Sequence, residues 1–262
     1  MSLAETYLPE VSRTTPAIDE RPFRMQPLKA LRALSRLLKD KEDTAQVFEI
    51  MRALSGRSIP NGYSRLISTP TGGTIAFRHQ ELADILSDQA FLSRLPEGSV
   101  GRAYLNFTTS ENISAQGLIE ESRKGIDETI DSAHPYAWYG RRLRDIHDLW
   151  HVLTGYGRDA LGETCIVAFS YAQTKSHGFG LIAAAGALKL RSEVKGYPFA
   201  KAVWQAYRNG RKAAWLPGED YVRLLSEDLA TARARLNIAR PTVYDAIPSS
   251  VRNGNGEMIA AA

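Results

Sequence analysis

A single cysteine, Cys165, stands in 262 residues. That excludes an internal disulfide framework and any Cys-rich zinc site, and it fits a reducing compartment. Long apolar runs are missing too. The best candidate, Ser176 to Leu188, is interrupted by Gly178, Gly180 and Gly186 and bounded by Lys175 and Lys189. It falls short of the roughly 18 to 20 apolar residues that span a bilayer, so it is expected to be buried or to dip into a membrane rather than cross one. The first residues have no apolar h-region and carry Glu5 and Glu10, unlike a signal peptide, while Asp19 and Glu20 argue against a transit peptide; the mature protein is expected to begin near Met1. Alternating, strand-like sequence is limited to Thr74–Phe77 after the Gly72-Gly73 turn signal, and no internal repeat is visible. Thirty-three Lys and Arg against 29 Asp and Glu leave a net charge of +4, and no nucleic-acid-binding motif accompanies it, so no nucleic-acid partner is expected.

What is present is ordinary globular material, 44% hydrophobic and 24% charged. Its dominant period is helical. Leu28, Leu31, Leu34 and Leu38 form one stripe, and Val47, Ile50, Met51 and Leu54 form a second. Further helical patterns cover His79–Leu86, Ser114–Ile130, Pro135–Leu153, Asp159–Thr174, Phe199–Arg211 and Gly218–Leu236. The expected architecture is a single all-α domain over residues 28–240. A Pro-rich extended arm precedes it in residues 1–27, and a flexible tail with an Asn-Gly repeat follows in residues 241–262.

Chemistry concentrates in Arg144-Asp145-Ile146-His147-Asp148-Leu149-Trp150-His151 and the glycine-punctuated stretch that runs on to Glu163. On a helix, residues four apart stand one above the other, so His147 and His151 share a face and Asp148 lies on its edge. Gly155 and Gly157 can close that helix, and Asp159 can cap the next one. If the second helix folds back, Glu163 sits one turn in and faces His151. Two imidazoles and two carboxylates suit zinc and are acceptable to manganese or iron. Ile146, Leu149, Trp150 and Leu153 surround the pair with apolar side chains, and sheltered polar groups need partners. The pattern is one residue type away from the zincin His-Glu-x-x-His, but the shorter Asp148 favours direct ligation over activating a distant water. A metal phosphohydrolase of the His-Asp class needs a further upstream histidine, and His134 lies too close along the chain.

His-Asp-x-x-His followed by eleven residues and Glu resembles the signature of the Coq-four family of ubiquinone-biosynthesis proteins. Leu95-Pro96-Glu97-Gly98-Ser99-Val100-Gly101-Arg102-Ala103-Tyr104 is similar to the family's upstream segment, and Ala206-Tyr207-Arg208-Asn209-Gly210-Arg211-Lys212 with Tyr221 is similar to its C-terminal helices. The resemblance runs from about Val47 to Ile238. It implies an all-helical peripheral membrane protein holding a divalent metal, zinc by preference, on His147, Asp148, His151 and Glu163. The implied activity is oxidative decarboxylation of a polyprenyl-4-hydroxybenzoate at ring carbon C1, a hydroxyl replacing the carboxylate. Arg142 and Arg144, where the family has arginines before the histidine, are the expected partners of that carboxylate. The implied partners are the prenylated aromatic lipid, the membrane surface and other coenzyme Q biosynthesis proteins, with a homo-oligomer left open. The alternative is a non-catalytic scaffold that binds prenyl lipid and organises the other enzymes. The expected location is the cytoplasmic face of a bacterial inner membrane, or the matrix face of the mitochondrial inner membrane in a eukaryote.

Between Gly186 and Trp215 seven basic residues meet one acid, beside the uncharged Gly178–Leu188 stretch. That is the composition of a membrane-surface element. Leu181 and Ile182 are its expected apolar contacts, and Lys189, Arg191 and Lys195 its expected contacts with anionic headgroups.

Overall fold

The computed structural model describes residues 24–39, 44–111 and 134–254. Helices α1 (Pro27–Leu37), α2 (Thr44–Leu54), α3 (Ser58–Ile67), α4 (Pro70–Arg78), α5 (Leu82–Ser87), α6 (Gln89–Arg94) and α7 (Val100–Ser110) make up the first part. The second part begins with α8 (Pro135–Asp145), α9 (His147–Thr154), α10 (Ala160–Thr174), α11 (His177–Glu193) and α12 (Phe199–Lys212). It ends in the short helices α13 (Tyr221–Leu224), α14 (Leu229–Arg235) and α15 (Thr242–Asp245). No strand forms among the described residues, only an isolated bridge between Ser99 and Asp228. The helical pattern read at Ser114–Ile130 lies outside the described residues, as do arm residues 1–23.

Helix α10 is the hub. Leu161, Cys165, Ile166 and Phe169 are buried, and α11 and α12 pack along two of its sides. The core continues through Leu149, Trp150 and Leu153 of α9 and reaches Leu216, Tyr221, Leu225 and Leu236. Gln173, buried in α10, donates to the carbonyls of Gly210 and Ala214 and accepts from Leu216 N–H, tying three segments together. A smaller cluster of Leu66, Trp138 and Tyr139 joins α3 to α8.

Several local expectations change. Thr74–Phe77 is helical: Thr69 accepts the Gly72 N–H as an N-cap, Pro70 suits the first turn, and His79 closes α4 in the left-handed region. That cap also divides the expected His79–Leu86 helix, which begins only at Leu82. Ile146 separates α8 from α9 within the Pro135–Leu153 pattern. On α1 the leucine stripe points outward. Ala30 and Ala33 are buried, with Leu34 and Leu37 half-buried beside them, whereas Leu28, Leu31 and Leu38 are exposed. The helix has apolar residues on both faces, and the small alanines are the ones that allow close approach to α2. Past Pro241 the chain continues as α15 with Tyr244 and Ile247 buried, up to Gly254; residues 255–262 lie outside the described residues.

Candidate metal centre

Helix α9 ends where Gly155 enters the left-handed region at φ 81°, its N–H bonding the His151 carbonyl at 2.8 Å. Arg233 donates to the last free carbonyls, Val152 and Leu153, each at 2.9 Å. The chain then reverses over three residues. Asp159 caps α10 by accepting the Gly162 N–H at 2.8 Å, and Tyr244 from α15 braces the turn through Gly157 N–H and the Asp159 carboxylate. Glu163 falls in the first turn of α10, facing back toward α9.

His147 Nε2 and His151 Nε2 lie 3.3 Å apart. The Glu163 Oε2 atom lies 3.5 Å from His151 Nε2 and 3.7 Å from His147 Nε2. One ligand atom from each residue falls within 4.8 Å of the other two. Two nitrogens bound to zinc at tetrahedral angles stand about 3.3 Å apart, given bonds of about 2.0–2.1 Å. The observed imidazole pair already has that spacing. His151 Nδ1 is 2.9 Å from the Tyr156 carbonyl, an acceptor only, so Nδ1 carries the proton and Nε2 presents its lone pair to the centre. Phe107 of α7 stacks on the same ring at 5.7 Å between centroids and fixes its plane.

Electrostatics support the grouping. Burial is the largest influence on His151 and acts to lower it, but the charge and hydrogen bond of Glu163, the Tyr156 carbonyl and Asp148 together raise it above its ordinary value. Burial would raise Glu163, yet in the metal-free state the charge of a doubly protonated His151 and hydrogen bonds from both imidazoles hold its carboxyl well below the usual carboxylate range. The Glu163 side chain remains 34% exposed, so the centre is reachable from outside.

The other sequence candidates fall in different places. Asp148 is not among the converging three; it is 5% exposed, and its Oδ2 is buried without a hydrogen-bond partner. Arg142 is buried between α8 and the segment after α12, donating to Pro217 and Glu219 carbonyls at 3.4 and 2.5 Å with its guanidinium over the Tyr221 ring. Arg144 makes two bonds to Asp145, at 2.9 and 2.6 Å. The arginine that reaches Glu163 is Arg158, which sequence reasoning passed over; its signal was its place in the tight turn between the two ligand helices. Leu181 and Ile182 are half-buried on α11, while Arg191 and Lys195 are exposed. Lys189 reaches across to the Leu38 carbonyl at 3.2 Å. Cys165 is buried in the core, where burial pushes its thiol up, and His177 is exposed at the start of α11 near Tyr171.

Fold and site together define an all-α protein with a two-histidine, one-glutamate cluster set between two reversed helices. The family model described as "Coenzyme Q (ubiquinone) biosynthesis protein Coq4" matches residues 21–242. The chain therefore belongs to the Coq4 family, which acts in ubiquinone biosynthesis. It is 30% identical over 196 residues to the zebrafish (Danio rerio) "Ubiquinone biosynthesis protein COQ4 homolog, mitochondrial", covering 74% of this chain and 68% of that protein. The human protein of the same description is 28% identical over 175 residues, covering 67% of this chain and 63% of its own. The chain thus spans somewhat under two thirds of the mammalian relatives' length. A solved structure from Nostoc punctiforme, named for ubiquinone biosynthesis, shares the fold with a TM-score of 0.56 at 19% identity, covering 82% of this chain and 99% of that one.

Proposed function

We propose that this protein is a metal-dependent oxidative decarboxylase acting on a polyprenyl-4-hydroxybenzoate-type precursor at a membrane surface. The observation that supports it most is the convergence of His147 Nε2, His151 Nε2 and Glu163 Oε2 at separations suited to one divalent ion. The residues fit such an ion in a second respect. Asp148, whose buried Oδ2 has no hydrogen-bond partner among the described residues, lies close enough to act on His151 through its charge and adds negative potential that favours a cation.

Zinc, or manganese or iron in its place, would supply Lewis-acid polarisation of the substrate's phenol and carboxylate oxygens. The chain's own groups do the rest. The Tyr156 carbonyl holds the His151 tautomer, Phe107 holds the ring plane, and the Asp159 cap sets the start of α10 so that Glu163 faces the imidazoles. Loss of the ring carboxylate as carbon dioxide with a hydroxyl in its place is a two-electron oxidation, which balances with dioxygen and water as co-reactants and hydrogen peroxide as the reduced product.

No helix among the described residues is long and apolar enough to cross a membrane. A prenylated substrate is then met at the bilayer surface. Leu188 of α11 is 68% exposed and Leu28 of α1 71%, with Leu31 and Leu38 beside them on α1. Arg32, Arg36, Arg191 and Lys195 are exposed on the same two helices or just past them. Apolar side chains flanked by bases are suited to the headgroup boundary of anionic lipid. On this reading the protein works on the cytoplasmic face of a bacterial inner membrane, or the matrix face of the mitochondrial inner membrane in a eukaryote, alongside other coenzyme Q biosynthesis proteins.

The test is purified protein with prenylated hydroxybenzoate, dioxygen and metal, alongside metal analysis. Wild type should turn over, and H147A and E163A should lose metal content and product together. Full turnover by a metal-free variant sinks the assignment; prenyl-lipid binding without chemistry favours the scaffold reading.

A further inference from the structure

We infer that Arg158 is the anion-binding residue of this centre, holding Glu163 in place with one edge of its guanidinium and offering the rest to the carboxylate of an aromatic acid. The inference rests on the reading of the site as a metal centre and names the group that recognises its ligand's charge.

Arg158 Nε lies 3.5 Å from Glu163 Oε1, while the other oxygen of the same carboxylate, Oε2, faces both imidazoles. The carboxylate is therefore shared between a guanidinium on one side and the two histidines on the other. The Arg158 side chain is only 14% exposed, so its charge is largely withdrawn from water. A guanidinium has five N–H donors in a planar fork, and the Glu163 contact uses one edge. Among the described residues no hydrogen bond engages the remaining donors, and neither terminal nitrogen is sealed in the interior without a partner. They are accessible from outside, beside the ligand Glu163. A sheltered cation with unfilled donors is where an incoming anion gains most, because charge-assisted, bidentate pairing replaces imperfect hydration.

The two arginines that the sequence favoured are committed elsewhere: Arg142 to the carbonyls of Pro217 and Glu219, and Arg144 to Asp145. The position of Arg158 follows from the reversal. It immediately precedes the Asp159 cap and lies five residues before Glu163, so the turn that sets Glu163 also sets the guanidinium.

The experiment uses water-soluble probes, 4-hydroxybenzoate and its neutral isostere 4-hydroxybenzamide, titrated calorimetrically into the full-length protein with zinc and again after chelation. Wild type should prefer the acid. R158Q should bind the acid about tenfold more weakly and the amide unchanged, since a hydrogen-bonded charge pair of this kind is worth about a factor of ten or more. R158K keeps the charge without the fork and should retain the preference at several-fold lower affinity. Should R158Q fold poorly, R158K decides alone: acid affinity equal to wild type overturns the inference. Equal loss of acid and amide in a folded R158Q, or no loss of either, overturns it as well. Failure of the metal reading is separate. A wild type that takes up no zinc refutes the three-ligand centre, while the contrast between acid and amide on chelated protein still decides Arg158.

Discussion

Replacing Gly162 with alanine places a methyl carbon 2.0 Å from the Gly157 carbonyl oxygen and 2.7 Å from its carbon. Both are backbone atoms, so no side chain can swing away. Ordinary contact begins near 3.4 Å, so the turn and the first turn of α10 must part by about 1.4 Å. Overpacking of this kind costs about 1–3 kcal/mol. The movement also strains the 2.8 Å cap between Asp159 and the Gly162 N–H, worth about 1 kcal/mol. Alanine in a helix returns about 0.5–1 kcal/mol relative to glycine. The net expectation is a loss of about 1–3.5 kcal/mol, which for a chain of this size lowers the melting temperature by about 2–14 °C. Gly140, inside α8, supplies the control, because a methyl group there meets nothing within 4 Å. G140A should melt at or slightly above wild type. Calorimetry of the two variants with and without zinc separates fold from site. G162A should also bind zinc at least about tenfold more weakly, because Glu163 and Arg158 ride on the displaced turn. A G162A protein that melts with G140A and binds zinc like wild type would refute the claim that this close approach sets the metal centre.

Q173L should lose about 2–4 kcal/mol in urea titration, because it strands Leu216 N–H and the Gly210 carbonyl in the core; an unchanged midpoint would contradict that. In metal-free protein the raised His151 contributes stability below its ordinary value of 6.5 that is lost as pH climbs through its folded value. The depressed Glu163 contributes above its ordinary 4.5 and loses this as pH falls through its folded value, so the melting temperature should decline on both flanks, and a flat alkaline side counts against the pairing. Zinc affinity should rise with pH over the alkaline range, since ligation needs a neutral imidazole. Charge reversal of Lys189, Arg191 and Lys195 to Glu should weaken salt-sensitive sedimentation with anionic liposomes while zinc binding persists, each charge contributing about 1 kcal/mol near the surface. Equal sedimentation of both proteins would show that this basic face is merely solvated. Exchanging Leu28 and Leu31 for Gln should weaken liposome binding at high salt as well, where screening has removed the charge contribution.

The helical class of the fold and the convergence of His147, His151 and Glu163 were legible in the chain because both depend on short-range periodicity. A spacing of four puts His147 above His151, a glycine ends one helix, and an aspartate starts the next, so Glu163 turns back toward the pair. Only the tertiary structure decided what depends on neighbours distant in sequence. Helix α1 has two apolar stripes, and contact with α2 chose the alanines and left Leu28, Leu31 and Leu38 outside. Thr74–Phe77 reads as a strand until Thr69 and His79 cap it as a helix. Arg142, Arg144 and Arg158 look alike in one dimension. In space, Arg142 is drawn off by Pro217 and Glu219, Arg144 by Asp145, and Arg158 alone of the three lies against Glu163. A guanidinium's role is set by which acceptors surround its five donors, and those acceptors come from segments that sequence spacing does not connect.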